Sequence, residues 1–153
     1  MIIEKATHRD VTEVQNLLFP EYFNETVYST LEYDPIRTRL TVTGWLSDVF
    51  YVVRDQGKIV GFFSMFIAYS FFKKGVANVD TLYVHPDYRG TKVGRMLVEK
   101  LVEESDKNDC ASIHASCASG IGDKNNLLHT NLFKKFGFKE LGTEVVRLNN
   151  VIL

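Results

Sequence analysis

The stretch Leu82-Tyr83-Val84-His85-Pro86-Asp87-Tyr88-Arg89-Gly90-Thr91-Lys92-Val93-Gly94-Arg95 holds the residues best placed for chemistry. A β-type run meets Pro86, and a basic, glycine-containing turn then opens straight into a helix. Such a junction makes an anion site. The first helical turn has main-chain N–H groups with no intrahelical acceptor, and the helix dipole favours negative charge beside them. Arg89, Lys92 and Arg95 form a local basic cluster able to hold a small anion. The spacing predicts a phosphorylated ligand at this turn. It is not a P-loop, because Gly-x-x-x-x-Gly-Lys-Ser/Thr does not occur.

Composition narrows the classes. A chain of 153 residues, 45% hydrophobic and 24% charged, fits one domain, 1–153, with room for a real core. A net charge of -1 argues against nucleic acid as a partner. Cys110 and Cys117 lie close together, and the chain opens on strand-like Met1-Ile2-Ile3 with no targeting segment. Both point to a reduced, cytoplasmic setting without disulfides. Neither cysteine reads as a nucleophile, and no His/Cys spacing suits zinc, so no metal is expected. The apolar stretch 59–72 is too short and too interrupted to span a bilayer. Its aromatic residues, Phe62, Phe63, Phe66, Tyr69, Phe71 and Phe72, read as core plus a surface that a second copy of the chain could cover, rather than a membrane anchor.

The elements that must position the turn follow from periodicity and punctuation. A strand is expected at 2–6. Thr7 or Asp10 then caps a helix carrying Val11, Val14, Leu17 and Leu18, which Pro20 ends. A second helix is expected over 36–46, with Ile36, Leu40, Val42 and Leu46 inward. Strands are expected at 49–54, 59–71 and 76–84 as an antiparallel meander, with Asp55-Gln56-Gly57-Lys58 turning the first hairpin. The helix 91–107 buries Val93, Leu97 and Leu101. A strand at 110–117 and a helix at 125–136 follow, the helix with Leu128, Leu132 and Phe136 in register. Gly137 stops that helix in a left-handed conformation, and one or two strands close the chain over 138–148. The order β-α-α-β-β-β-α-β-α-β is an α/β domain with a mixed, mainly antiparallel sheet flanked by helices.

That order, with that turn in that place, resembles the GNAT (GCN5-related) N-acetyltransferase superfamily over nearly the whole chain. The turn motif, Arg/Gln-x-x-Gly-x-Gly/Ala, is matched by Arg89, Gly90-Thr91, Lys92, Val93 and Gly94. A second signature matches as Asn126, an aromatic seven residues on at Phe133, and Gly137-Phe138. Tyr33-Asp34-Pro35, the basic residue inside the turn and Ser119-Gly120-Ile121 are similar to members found in phage and prophage genomes.

The resemblance implies acetyl-CoA as co-substrate and direct transfer of the acetyl group to a primary amine, on a small molecule or on a protein lysine or N-terminus. It implies that the turn 89–95 binds the pyrophosphate. The edge at Leu82, Tyr83 and Val84 would pair with the pantetheine arm like an added strand, and an N–H near Val84 would stabilise the oxyanion. Asn126 would serve the cofactor and the reaction, and Phe133 would pack on the acyl-CoA arm.

Two positions depart from the pattern. Lys92 replaces a glycine and would be strained if the position required positive φ. Phe133 replaces the tyrosine to which proton donation to the departing thiolate is assigned, which leaves Tyr83, Tyr88 or His129 as substitutes. It also raises the alternative of a weak or inactive acyl-CoA-binding module. The family's usual glutamate base falls at Asn78. Asp80, two residues on and on the same face unless a bulge intervenes, is the first candidate base, and His114 the second.

Overall fold

Five strands among the described residues form one sheet in the order β1-β2-β3-β4-β5: β1 (Ile2–Lys5), β2 (Val49–Asp55), β3 (Lys58–Ala68), β4 (Val76–Val84) and β5 (Ser112–His114). The computed structural model describes residues 1–18, 22–117 and 123–142. The first four strands are successively antiparallel, and β5 joins β4 in parallel. The β2–β3 hairpin turns on Gln56 and Gly57, both at positive φ (48° and 82°), as the sequence signal requires.

Each face of the sheet is covered by helices. α1 (Val11–Leu17) and α3 (Pro35–Trp45) bury Val11, Val14, Val42 and Trp45 on Phe50, Val52, Phe62 and Tyr83. The single turn α2 (Phe23–Glu25) lies between them in the chain. α4 (Lys92–Lys107) buries Val93, Leu97 and Leu101 on the other face, against Val53, Phe63, Met65, Ala77 and Val84. α5 (Asp123–Lys134) follows β5, and Gly137 ends its last turn at φ 85°. The α/β fold read from the sequence is the one observed.

Some boundaries and faces differ from expectation. α3 starts at Pro35 because the Asp34 side chain accepts from the N–H groups of Ile36 and Arg37 (2.9 and 3.0 Å). Its expected stripe is turned: Ile36 and Leu40 are exposed, while Val42 and Trp45 are buried. The strand expected to reach 71 ends at Ala68, so Tyr69, Phe71 and Phe72 lie in an exposed connection. The strand expected over 110–117 is only Ser112–His114, because its pairing with β4 stops there. In α5 Phe133, not Leu128, is the buried residue. The closing strands expected over 138–148 show no strand at 138–142, and the rest lies outside the described residues.

One ionic cluster fastens α4 to the sheet. Glu104, 7% exposed at its side chain, accepts from the Tyr51 hydroxyl at 2.8 Å and faces Lys100 at 3.3 Å. Burial pushes the Glu104 carboxyl up, but the Tyr51 bond and Lys100 outweigh it and hold it below the ordinary glutamate range. The pair therefore stabilises the fold above the unfolded glutamate value of about 4.3, and that contribution disappears as pH falls through the lowered folded value. Glu104→Gln is expected to cost about 1–3 kcal/mol at neutral pH and to flatten the acid limb of stability. Melting curves from pH 7 to pH 3 for both proteins check this.

Candidate active site

β4 carries the site. Up to Asn78 it is paired on both edges, with β5 aligned as Val76↔Ser112, Ala77↔Ile113 and Asn78↔His114. Beyond Asn78 the pairing with β5 stops, whereas that with β3 continues to Val84. Among the described residues, one edge of 79–84 therefore faces a gap. The His85 N–H donates to the Val60 carbonyl at 2.9 Å. Hydrogen-bonded pairs alternate along an antiparallel ladder, so the main-chain groups of Tyr83 are turned to β3 and those of Leu82 and Val84 to the gap. Of the three edge residues expected to meet a ligand, two offer polar main chain, while the Tyr83 ring is buried beside Phe62 (centroids 5.5 Å).

A β-bulge interrupts this strand. Met65 pairs with Val79 and Ser64 with Thr81, so Asp80 has no opposite residue. Ala77, Val79, Leu82 and Val84 all pack on the α4 side. Alternation counted down from Val84 would place Asp80 there too. Counted up from Ala77 it places Asp80 on the α3 side, and the structure follows the second count: the Trp45 indole N–H of α3 donates to Asp80 Oδ2 at 2.6 Å. Asp80 thus shares a face with Asn78, as expected, because the register slips only after Val79. Asp80 is exposed despite that bond. Asn78 donates to the carbonyl of Val76 at 3.0 Å, and the exposed His114 stands beside it in register.

The strand ends in the anion turn. Gly90 adopts φ 78°, a conformation that favours glycine and lets the chain reverse into α4. Thr91 caps the helix: its hydroxyl accepts from the Val93 N–H at 3.4 Å, and its own N–H donates to the Tyr88 carbonyl at 3.2 Å. The N–H groups of Lys92 and Gly94 then have no intrahelical acceptor. Lys92 is the first helical residue and is not at positive φ, so the strain considered for it is absent. Gly94 admits α5: a Cβ there would sit 3.0 Å from Leu132 Cδ2.

Lys92 and Arg95 are exposed, with Arg95 paired to Glu99 at 2.7 Å. Arg89 is instead turned inward. Its guanidinium donates to the Val84 carbonyl (3.2 Å) and to Glu25 of α2 (2.7 Å), so this cation fastens the turn to α2 and to the end of β4.

α5 supplies the remaining candidates. Asn126 lies inside the helix and not at its N-cap, and its carbonyl accepts from the Thr130 hydroxyl at 2.8 Å. Phe133 is buried against Phe138 (centroids 4.9 Å). A cleft of about 820 Å³ lies between the β4–β5 edge and α5, lined by Asn78, His114, Cys117, Asn126 and Phe133 among others. Burial pushes the Cys117 thiol up, which removes it further from a nucleophile's role. Of the substitutes for the missing phenol, Tyr83 is in the core. The Tyr88 hydroxyl donates to Asp55 at 3.0 Å, and that bond raises its pKa. His129, one turn before Phe133, is held below the usual histidine range by burial and then by Arg89, and is neutral at pH 7. Among the described residues, no group of three His, Cys, Asp or Glu could hold a metal ion, and no helix is long and apolar enough to cross a membrane.

An open strand edge that leads into a helix N-terminus, on a sheet with one parallel pair, makes a cleft suited to an extended ligand that ends in an anion. The model of the acetyltransferase (GNAT) family matches residues 11–138, and the chain belongs to that family of N-acetyltransferases. Solved structures agree in fold. An acetyltransferase of Trypanosoma brucei is similar at TM-score 0.70 and 20% identity, covering 97% of this chain and 98% of that one. A ribosomal-protein-alanine N-acetyltransferase of Brucella melitensis biovar Abortus 2308 gives 0.72 and 17%, covering 97% and 100%. Glucosamine-6-phosphate N-acetyltransferase of Arabidopsis thaliana gives 0.71 and 16%, covering 97% and 98%. No curated protein matches the sequence.

Proposed function

We propose that this protein transfers the acetyl group of acetyl-CoA directly to a primary amine, with Asp80 as the base. The observation that carries this reading is the parting of β4 from β5 after Asn78, which leaves a polar strand edge ending at the unsatisfied N–H groups of α4. These groups suit the co-substrate. The pantetheine amides can pair with the main chain of Leu82 and Val84. The pyrophosphate fits the N–H groups of the turn 90–95, with Thr91, Val93 and Gly94 shaping it and Lys92 and Arg95 adding charge. Asn126 and Phe133 wall the other side of the cleft.

In the reaction the amine nitrogen adds to the thioester carbon, forming the C–N bond and a tetrahedral oxyanion, and the C–S bond breaks as the carbonyl re-forms. Asp80 takes the proton the nitrogen loses. An N–H of Val84 or Leu82 faces the gap in which the oxyanion would form. Phe133 donates no proton, so the thiolate leaves as such and is protonated by solvent. Proximity supplies the larger share of the rate.

Isothermal titration with acetyl-CoA tests the cofactor side. Lys92→Glu places a carboxylate at the first helical position and is expected to weaken binding about tenfold or more, from the lost charge contact and the added repulsion. Lys92 is exposed, so the variant folds. Unchanged affinity would move the pyrophosphate elsewhere. Thiol release from acetyl-CoA with spermidine, tyramine and a lysine-containing peptide then identifies the acceptor class. Acetyl-CoA binding with no turnover on any of them would overturn the amine reading.

A further inference from the structure

We infer that Trp45 is a positioning residue for Asp80, fixing one carboxylate oxygen so that the other is offered to the acceptor nitrogen. This rests on the reading of Asp80 as base. Asp80 sits at a bulge, where no opposite residue restrains it, and it is exposed. A carboxylate in that setting samples several rotamers, and only some aim an oxygen at the gap beside β4. Its described hydrogen-bond partner is the Trp45 indole, whose N–H meets Oδ2 at 2.6 Å.

The donor is itself held by packing. Trp45 is 8% exposed and wedged between Phe50 (centroids 5.5 Å, 74°) and Phe62 (6.1 Å). Indole N–H is a donor only, so it selects an acceptor oxygen and leaves Oδ1 free to take a proton. The core beneath the sheet thereby orients a group on its surface. The strand and Trp45 act together: alternation unbroken from Asn78 puts Asp80 on the α3 face, and the last turn of α3 fixes it there.

Trp45 is the single tryptophan of the chain, so its indole N–H gives one isolated NMR resonance. In the wild type this proton is expected to be protected from solvent exchange. Asp80→Ala breaks the bond from an exposed position and should raise the exchange rate about tenfold or more, as for a buried donor that loses its acceptor. An unchanged rate would overturn the contact.

The kinetic arm is a double-mutant cycle on thiol release, with the fastest amine of the three named above. Trp45→Phe should lower kcat about tenfold with KM for acetyl-CoA unchanged, and should cost nothing further in the Asp80→Ala background. An equal loss in both backgrounds would mean that Trp45 is merely structural. If Asp80→Ala alone keeps the wild-type rate, the assignment of Asp80 as base fails, independently of the indole result. Should Trp45→Phe not fold, or no amine be turned over, the indole measurement on Asp80→Ala still decides the contact.

Discussion

Asp80→Asn is expected to lower kcat/KM for the amine by about 10²–10⁴, the usual worth of a positioned proton acceptor, while acetyl-CoA affinity stays at the wild-type value. The substitution is informative because it changes so little else. The asparagine carbonyl can still accept the Trp45 N–H that now meets Oδ2 at 2.6 Å. The side chain is exposed and keeps its size, so neither the core nor the bulge is disturbed. Only the basicity goes. Steady-state kinetics against acetyl-CoA and amine separately give the split: kcat should carry the loss. If the rate survives, His114 becomes the base, since it stands beside Asn78 on the same face.

The largest expected loss of stability is at Arg54. Its guanidinium binds Glu4 at 2.6 Å, Glu13 at 3.3 Å and the buried Asp10, and donates to the Gly57 carbonyl at 3.4 Å. Glu13 in turn accepts from the Ile59 N–H at 2.7 Å. One cation on β2 thus ties β1, the start of α1 and the β2–β3 hairpin. Asp10 is 5% exposed and also holds the Thr7 N–H at 2.8 Å. Arg54→Ala would leave that carboxylate in a low-dielectric site without its counter-charge. Breaking a buried pair from one side costs about 3–5 kcal/mol, which for a chain of this length lowers the melting temperature by about 2–4 °C per kcal/mol. Urea unfolding of both proteins reads the difference. Acetyl-CoA affinity of the folded variant should be unchanged, because Arg54 binds Glu4, Asp10, Glu13 and Gly57 and none of the residues of the β4 edge or of the turn 89–95. A loss below 1 kcal/mol would show that the cluster behaves as a solvated surface pair.

Local signals carried much of the fold. The Gln56-Gly57 turn, the glycine turn at Gly90, Gly137 and the apolar stripe of α4 act within a few residues, and each could be read from the chain, whereas the Asp34 cap that starts α3 at Pro35 was not. The exposed N–H groups at the start of α4 were legible for the same reason: an N–H without an intrahelical acceptor is a property of the helix start itself. Faces were harder. Ile36 and Leu40 have helical spacing, but α3 rotates to seat Trp45 and Val42, the residues whose shape fits over Phe50 and Phe62. The strand length after Ala68 and the brevity of β5 depend on where a partner strand stops.

For the candidate site, the sequence alone determined which residue types lie at the turn 89–95 and that Phe133 carries no phenol. Only the tertiary structure decided where their side chains lie and what they touch. A one-residue bulge beyond Val79 moved Leu82 and Val84 to the face opposite Asp80, and a donor 35 residues away in the chain set the orientation of Asp80. Glu25, which no local pattern marks, turned Arg89 inward and left the main-chain N–H groups with Lys92 and Arg95 to meet an anion. The physical reason is that periodicity assigns faces only while register holds. Side-chain pairing between distant segments obeys distance and burial, and neither is encoded in the neighbours of a residue.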